Sequence, residues 1–112
     1  MKYMIEYKIR LAGLNFEAYL ESDTALIAVF NQWKPEKDFN ILAFVHTLEN
    51  DSGYVHCETS DPKTIASFVS KFAPWMSCKV VPVLDVEDLV QISTASNQWV
   101  EAALENAFPS EL

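Results

Sequence analysis

Hydrophobic and polar residues alternate strictly in the run KYMIEYKI, with Tyr3, Ile5, Tyr7 and Ile9 on one face and Met4, Glu6, Lys8 and Arg10 on the other. A period of two sustained in this way predicts a half-buried strand. After a short loop, LAGLN, the period changes. Phe16, Tyr19, Leu20, Ile27, Phe30 and Trp33 recur at helical spacing, so a helix is expected from about residue 16 to 33, with Pro35 as its stop. The polar ESDT interrupts this stripe, and Ser22 or Asp23 is a candidate cap for a second helical segment.

The next two apolar runs, FNILAFVHTL and YVHCETS, predict a second and a third strand joined by the turn ENDSG, with Gly53 as the expected site of a positive φ. SDPKTIASFVSKFAPW is the clearest helix signal in the chain. Asp61 is the N-cap, Pro62 occupies the first helical position, and Ile65, Phe68, Val69 and Phe72 form an i, i+3, i+4, i+7 stripe that Pro74 ends. SCKVVPVL predicts a fourth strand. Pro82 has no N–H for a ladder, which puts this strand at a sheet edge. DVEDLVQI, capped by Asp85, and SNQWVEAALENAF predict two further helices.

The resulting order, β-α-β-β-α-β, is the ferredoxin-like α+β arrangement, an antiparallel sheet of strand order 4-1-3-2 with both helices on one face. Residues 1–92 are expected to form this α+β barrel domain and 93–112 a C-terminal helical extension of it. Parity assigns the faces. Tyr3, Ile5, Tyr7, Ile9, Ile41, Ala43, Val45, Val55, Cys57, Thr59, Val81 and Val83 are expected under the helices. Met4, Leu42, Phe44, Leu48, Tyr54, Val80 and Leu84 are then expected on the open face, together with His46, His56 and Glu58. Such a face is too apolar to be left in water. A second copy of the same sheet is the simplest cover, giving a homodimer with a cavity between the sheets for a small organic ligand.

Composition removes several classes of function. Gly13 and Gly53 are the only glycines, so no Gly-rich phosphate loop can be written. The net charge is −8, all basic residues lie between Lys2 and Lys79, and the segment from Val81 onward carries six acids and no Lys or Arg. A nucleic-acid backbone would be repelled, and no nucleic-acid partner is expected. The N-terminus lacks an apolar run of signal-peptide length and nothing approaches a membrane span, so a cytoplasmic chain with reduced Cys57 and Cys78 is expected.

The candidate chemistry lies in HTLENDSGYVHCE, which holds both histidines. Hairpin parity places His46, His56 and Glu58 on one face, within about 5–8 Å between Cβ atoms, if the turn centres on Asp51 or Ser52. Glu6 on the neighbouring strand joins them, and Phe44 and Tyr54 are candidate ligand contacts. Three readings follow: a hydrogen-bonded polar cluster at a dimer interface, an acid–base site with a histidine base oriented by Glu58, and a two-His-one-carboxylate metal site. Strands rarely offer three facial ligands without a loop, so no metal is assigned, and no cofactor is expected.

The layout resembles the dimeric α+β barrel superfamily of ferredoxin-like proteins. Within it, GYVHCETSDPKTIASFVSKFAPW and CKVVPVLDVEDLVQI are similar to a family of short uncharacterised proteins. They share the step Glu58-Thr59-x-Asp61-Pro62 into the second helix and the last strand Val80-Val81-Pro82-Val83. The likeness covers the first 92 residues in topology and the second half in motif detail. It implies the fold and the homodimer. Wider relatives include cofactor-independent monooxygenases, isomerases and haem-degrading enzymes, so the first two activities are the alternative to plain ligand binding. In haem-degrading members the axial histidine lies on the second helix. No histidine occurs between Pro62 and Ala73 here, which argues against haem.

Overall fold

In a computed structural model of the chain, residues 1–10 and 15–109 are described, and most of the expected loop LAGLN lies outside them. Seven elements follow in order: β1 (Lys2–Ile9), α1 (Phe16–Gln32), β2 (Asn40–His46), β3 (Ser52–Glu58), α2 (Pro62–Phe72), β4 (Met76–Val83) and α3 (Val86–Ala107). The strands form one antiparallel sheet in the order β2-β3-β1-β4, which is the expected ferredoxin-like α+β topology. β4 is an edge strand, where the missing N–H of Pro82 is tolerated.

The core lies between the sheet and the two helices. Ile5, Tyr7, Val55 and Cys57 from the sheet meet Leu26, Ile65, Phe68 and Phe72 from the helices, with Phe39 and Met76 closing the ends. Aromatic rings dominate the contact. Trp33, which follows α1, packs at 5.3 Å from Phe68, and Phe68 at 5.4 Å from Phe72. α2 is built as its sequence demands: the Asp61 carboxylate accepts from the Lys63 amide at 3.0 Å, Pro62 opens the helix, and the apolar stripe is buried.

The Glu58-Thr59-x-Asp61-Pro62 step serves the fold. Thr59 is buried, and its hydroxyl donates to Asp38 at 2.8 Å. Thr64 on α2 donates to both oxygens of the same carboxylate at 3.0 and 3.1 Å. These two hydroxyls hold Asp38 below the usual carboxylate range. One carboxylate thereby ties the α1–β2 loop to the β3–α2 junction. Beside it, Glu36 accepts from Lys71 at 3.0 Å and from Ser67 at 2.9 Å.

Four expectations need correction. α1 is a single helix of 17 residues, capped at Asn15, whose side chain accepts from the Ala18 amide at 2.8 Å. Ser22, Asp23 and Thr24 run through it as ordinary helical residues, since each costs only about 0.7 kcal/mol or less relative to alanine. The C-terminal region is likewise one helix of 22 residues instead of two. At its middle the Thr94 hydroxyl donates back to the Val90 carbonyl at 2.9 Å, so the polar stretch is satisfied inside the helix. The turn between β2 and β3 has its positive φ at Asn50 (64°), and Gly53 lies within β3.

The fourth correction concerns the faces. In β2 the pairing runs Ile41↔Cys57, then Ala43↔His56, Phe44↔Val55, Val45↔Tyr54 and His46↔Gly53. The ladder thus skips Leu42, a bulge with one extra residue. Every side chain after it is moved to the opposite face. Phe44 and His46 therefore lie on the helix side, and Ala43 and Val45 on the open side. β4 is also reversed, because Cys78 pairs with Tyr7, Val80 with Ile5 and Pro82 with Tyr3. The open face thus consists of Met4, Ala43, Val45, Tyr54, Val81 and Val83, interleaved with Lys2, Glu6, Lys8, His56, Glu58 and Lys79. It is more polar than expected.

α3 leaves the sheet immediately after β4. Its first turn is held by an ion pair between Lys2 and Asp85 at 2.9 Å, and none of its residues is buried. The chain spans 81 Å in its longest dimension. Its radius of gyration is 21.7 Å, against about 13 Å for a compact domain of this length. Among the described residues, no helix is long and apolar enough to cross a membrane.

Candidate functional site

The bulge breaks up the cluster expected from the sequence. His56 and Glu58 remain on the open face, with Met4 and Lys2 as their neighbours on β1. Glu6 shares that face, opposite Tyr54 and Lys79. His46 is on the other side of the sheet, so the three residues His46, His56 and Glu58 do not come together. Among the described residues, no group of three His, Cys, Asp or Glu side chains is placed to hold a metal ion. Phe44, expected beside Tyr54, instead packs under α1 with its ring 5.7 Å from Phe30.

His46 has acquired different company. Across the sheet it stands in the row His46–Gly53–Tyr7–Cys78. Gly53 has no side chain, and the phenol of Tyr7 lies over it to reach His46 two strands away. The Tyr7 hydroxyl is 2.7 Å from His46 Nδ1 and 3.3 Å from the Val45 carbonyl. A Cβ on Gly53 would collide with the Tyr7 hydroxyl, the Tyr7 ring and the Val45 carbonyl. This contact therefore requires glycine for space, and no turn geometry is involved.

On its outer side His46 Nε2 is 3.0 Å from the Asn50 side-chain oxygen. With that oxygen as acceptor, Nε2 carries the hydrogen and donates to Asn50, while Nδ1 accepts from Tyr7. The second tautomer is also provided for. Tyr7 can turn its hydrogen to the Val45 carbonyl and accept from Nδ1–H instead. Burial pushes the Tyr7 hydroxyl above the usual tyrosine value, so it remains a neutral donor at ordinary pH.

This relay forms one end of a groove between the sheet and α1, with a cavity volume of about 420 Å³. Leu26, Ile27, Phe30 and Phe44 supply its apolar walls, and Asp23 of α1 adds a carboxylate. The groove exists because α1 is loosely seated. Leu26 is its one buried residue, while Phe16, Leu20 and Ile27 stay exposed along the helix. Volumes of about 300–1,000 Å³ with apolar walls and a few convergent polar groups are usual for small-molecule sites.

The family comparison adds no chemistry. A family model described as a domain of unknown function, DUF3303, matches residues 1–97. The chain belongs to the DUF3303 family. No curated protein matches it. The DUF3303 match takes in the whole sheet, both covering helices and the first half of α3. Every residue of the Tyr7–His46–Asn50 relay lies inside it.

Neither cysteine lines this groove, although Cys78 is the cross-strand neighbour of Tyr7. Cys57 is fully buried with Sγ 3.8 Å from the Tyr3 carbonyl, and burial pushes its thiol up. Cys78 is half-buried on the helix side, and burial raises its thiol as well, with Arg10 opposing.

Proposed function

We propose that this domain binds a small, largely apolar organic molecule in the groove between α1 and the sheet, with its polar group at His46. The supporting observation is the Tyr7–His46–Asn50 relay placed at the end of an apolar groove of about 420 Å³. An oxygen-bearing ligand would take the place of Asn50 and accept from Nε2–H, while its carbon skeleton lies between Phe30, Phe44 and Ile27. Glu6, Tyr54, His56 and Glu58, on the far face, take no part.

The same contact supports a second reading, acid–base chemistry of the kind found in cofactor-independent monooxygenases or isomerases. Tyr7 would replace Glu58 as the group that orients the imidazole, and its two available partners allow Nε2 either to give or to take a proton.

Both readings are testable with 1-naphthol as a probe, followed by amide and side-chain NMR shifts. Shifts are expected at Tyr7, Phe30, Phe44 and His46, and His46→Gln or Tyr7→Phe should weaken binding by about tenfold, the loss of one good hydrogen bond. Shifts confined to Tyr54, His56 and Glu58 would move the site to the open face and overturn the proposal. Should a substrate be found, Tyr7→Phe retaining binding while losing turnover would favour the second reading.

A further inference from the structure

The polar step Glu21-Ser22-Asp23-Thr24 interrupts the apolar stripe of α1 and caps nothing, because the helix starts behind Asn15 and continues to Gln32. A carboxylate favours a helix in its first turn. Asp23 is the eighth residue of α1, a position where aspartate is among the poorer helix formers. It is half-buried and lines the groove that ends at His46. Among the described residues no Lys or Arg forms an ion pair with it, and none lines the groove. Nothing in the packing of α1 calls for this charge.

The direction of the elements places Asp23 at the polar end of the groove. β1 and β2 are parallel, each being antiparallel to β3 between them. α1 returns from the end of β1 to the start of β2, so it runs opposite to β2. The rings of Phe30 and Phe44, 5.7 Å apart, mark where the two elements meet. From there, going back along α1 to Asp23 covers about 10 Å, and going forward along β2 to His46 covers about 7 Å. Both steps lead toward the same end of the groove, where Asn50 also lies.

The chemistry of that end is one carboxylate and one imidazole. An anionic ligand would meet Asp23 and find no Lys or Arg to pair with. A neutral ligand would strip water from the carboxylate without supplying a charged donor. A protonated amine satisfies it, and the faces of aromatic rings favour a cation as well. The net charge of −8 draws cations toward the chain. We propose that the groove takes a cationic ligand, an apolar skeleton that carries a protonated amine next to the oxygen that meets His46. Asp23 accepts from the ammonium, Nε2–H of His46 donates to the oxygen, and the skeleton lies toward Phe30 and Phe44. This inference rests on the reading of the groove as a small-molecule site and narrows its ligand class.

Three probes with one skeleton test it: 1-naphthol, 2-(aminomethyl)-1-naphthol and 1-hydroxy-2-naphthoate, which are neutral, cationic and anionic at neutral pH. Titrations of the full chain followed by NMR should show the cationic probe binding at least about tenfold more tightly than 1-naphthol, the worth of one charge-assisted hydrogen bond. The anionic probe should bind more weakly than either. Asp23→Asn should bring the affinities for the cationic and neutral probes to within about twofold of each other, and Asp23→Glu should keep part of the preference. Glu21→Gln removes one acid from the same helix outside the groove and should keep all of it. Four results count against the proposal. The three probes could bind equally well, the preference could survive Asp23→Asn, or Glu21→Gln could reduce it as much as Asp23→Asn does, which would make it an effect of net charge. Each of these overturns the cationic ligand and leaves the groove reading standing. Absence of shifts at Tyr7, Phe44 and His46 with every probe overturns both.

Discussion

Gly53 decides the geometry of the groove's polar end. It occupies the position between Tyr7 and His46 in their cross-strand row, and its missing side chain lets a phenol on β1 hydrogen-bond an imidazole on β2. Gly53→Ala should displace the buried Tyr7 ring, break the 2.7 Å contact and cost about 1–3 kcal/mol in denaturant unfolding, the usual range for overpacking. The Tyr7 hydroxyl proton and the His46 ring resonances should report the broken contact directly. A glycine inside a strand is itself a sequence signal for close approach. Next to the cluster ENDS a glycine equally suits a turn, and only the register of the hairpin separates the two.

At the scale of elements, legibility followed how one-sided each hydrophobic pattern is. β1 and α2 bury their apolar positions as their patterns predict, because shifting either would put tyrosines or phenylalanines into water. β2 and β4 are different. NILAFV and KVVPV are apolar at odd and even positions alike, so parity carries no information there, and a single bulged residue at Leu42 changes the face of Phe44 and His46 without leaving a mark in composition. The site was therefore half legible: His46 was recognisable as a candidate, and its partners were not. The loop–helix junction makes its own prediction. Asp38 is held below its ordinary value by Thr59 and Thr64. A carboxylate depressed in the folded state contributes stability that is complete above its unfolded pKa and lost as pH falls through the folded one. Urea unfolding should thus show stability falling from about pH 4 downward, and Asp38→Asn should be less stable at neutral pH with a shallower acid limb.

For the whole molecule, the distribution of buried surface is uneven. The sheet and two helices enclose an aromatic core, while α3 contributes no buried residue to it. The amides of α3 should therefore exchange with deuterium well before those of β1 and β3. Hydrogen exchange followed by mass spectrometry is sufficient to check this.

The bulge at Leu42 has one more effect, on the rim of the sheet. A regular outer strand presents a ladder of free N–H and C=O groups on which another chain can build. β2 is such an outer strand, and its skipped residue throws that ladder out of step near its middle. On the opposite rim, Pro82 removes a donor from β4. Both rims are therefore poor templates for strand addition, which disfavours edge-to-edge growth into fibrils at each side.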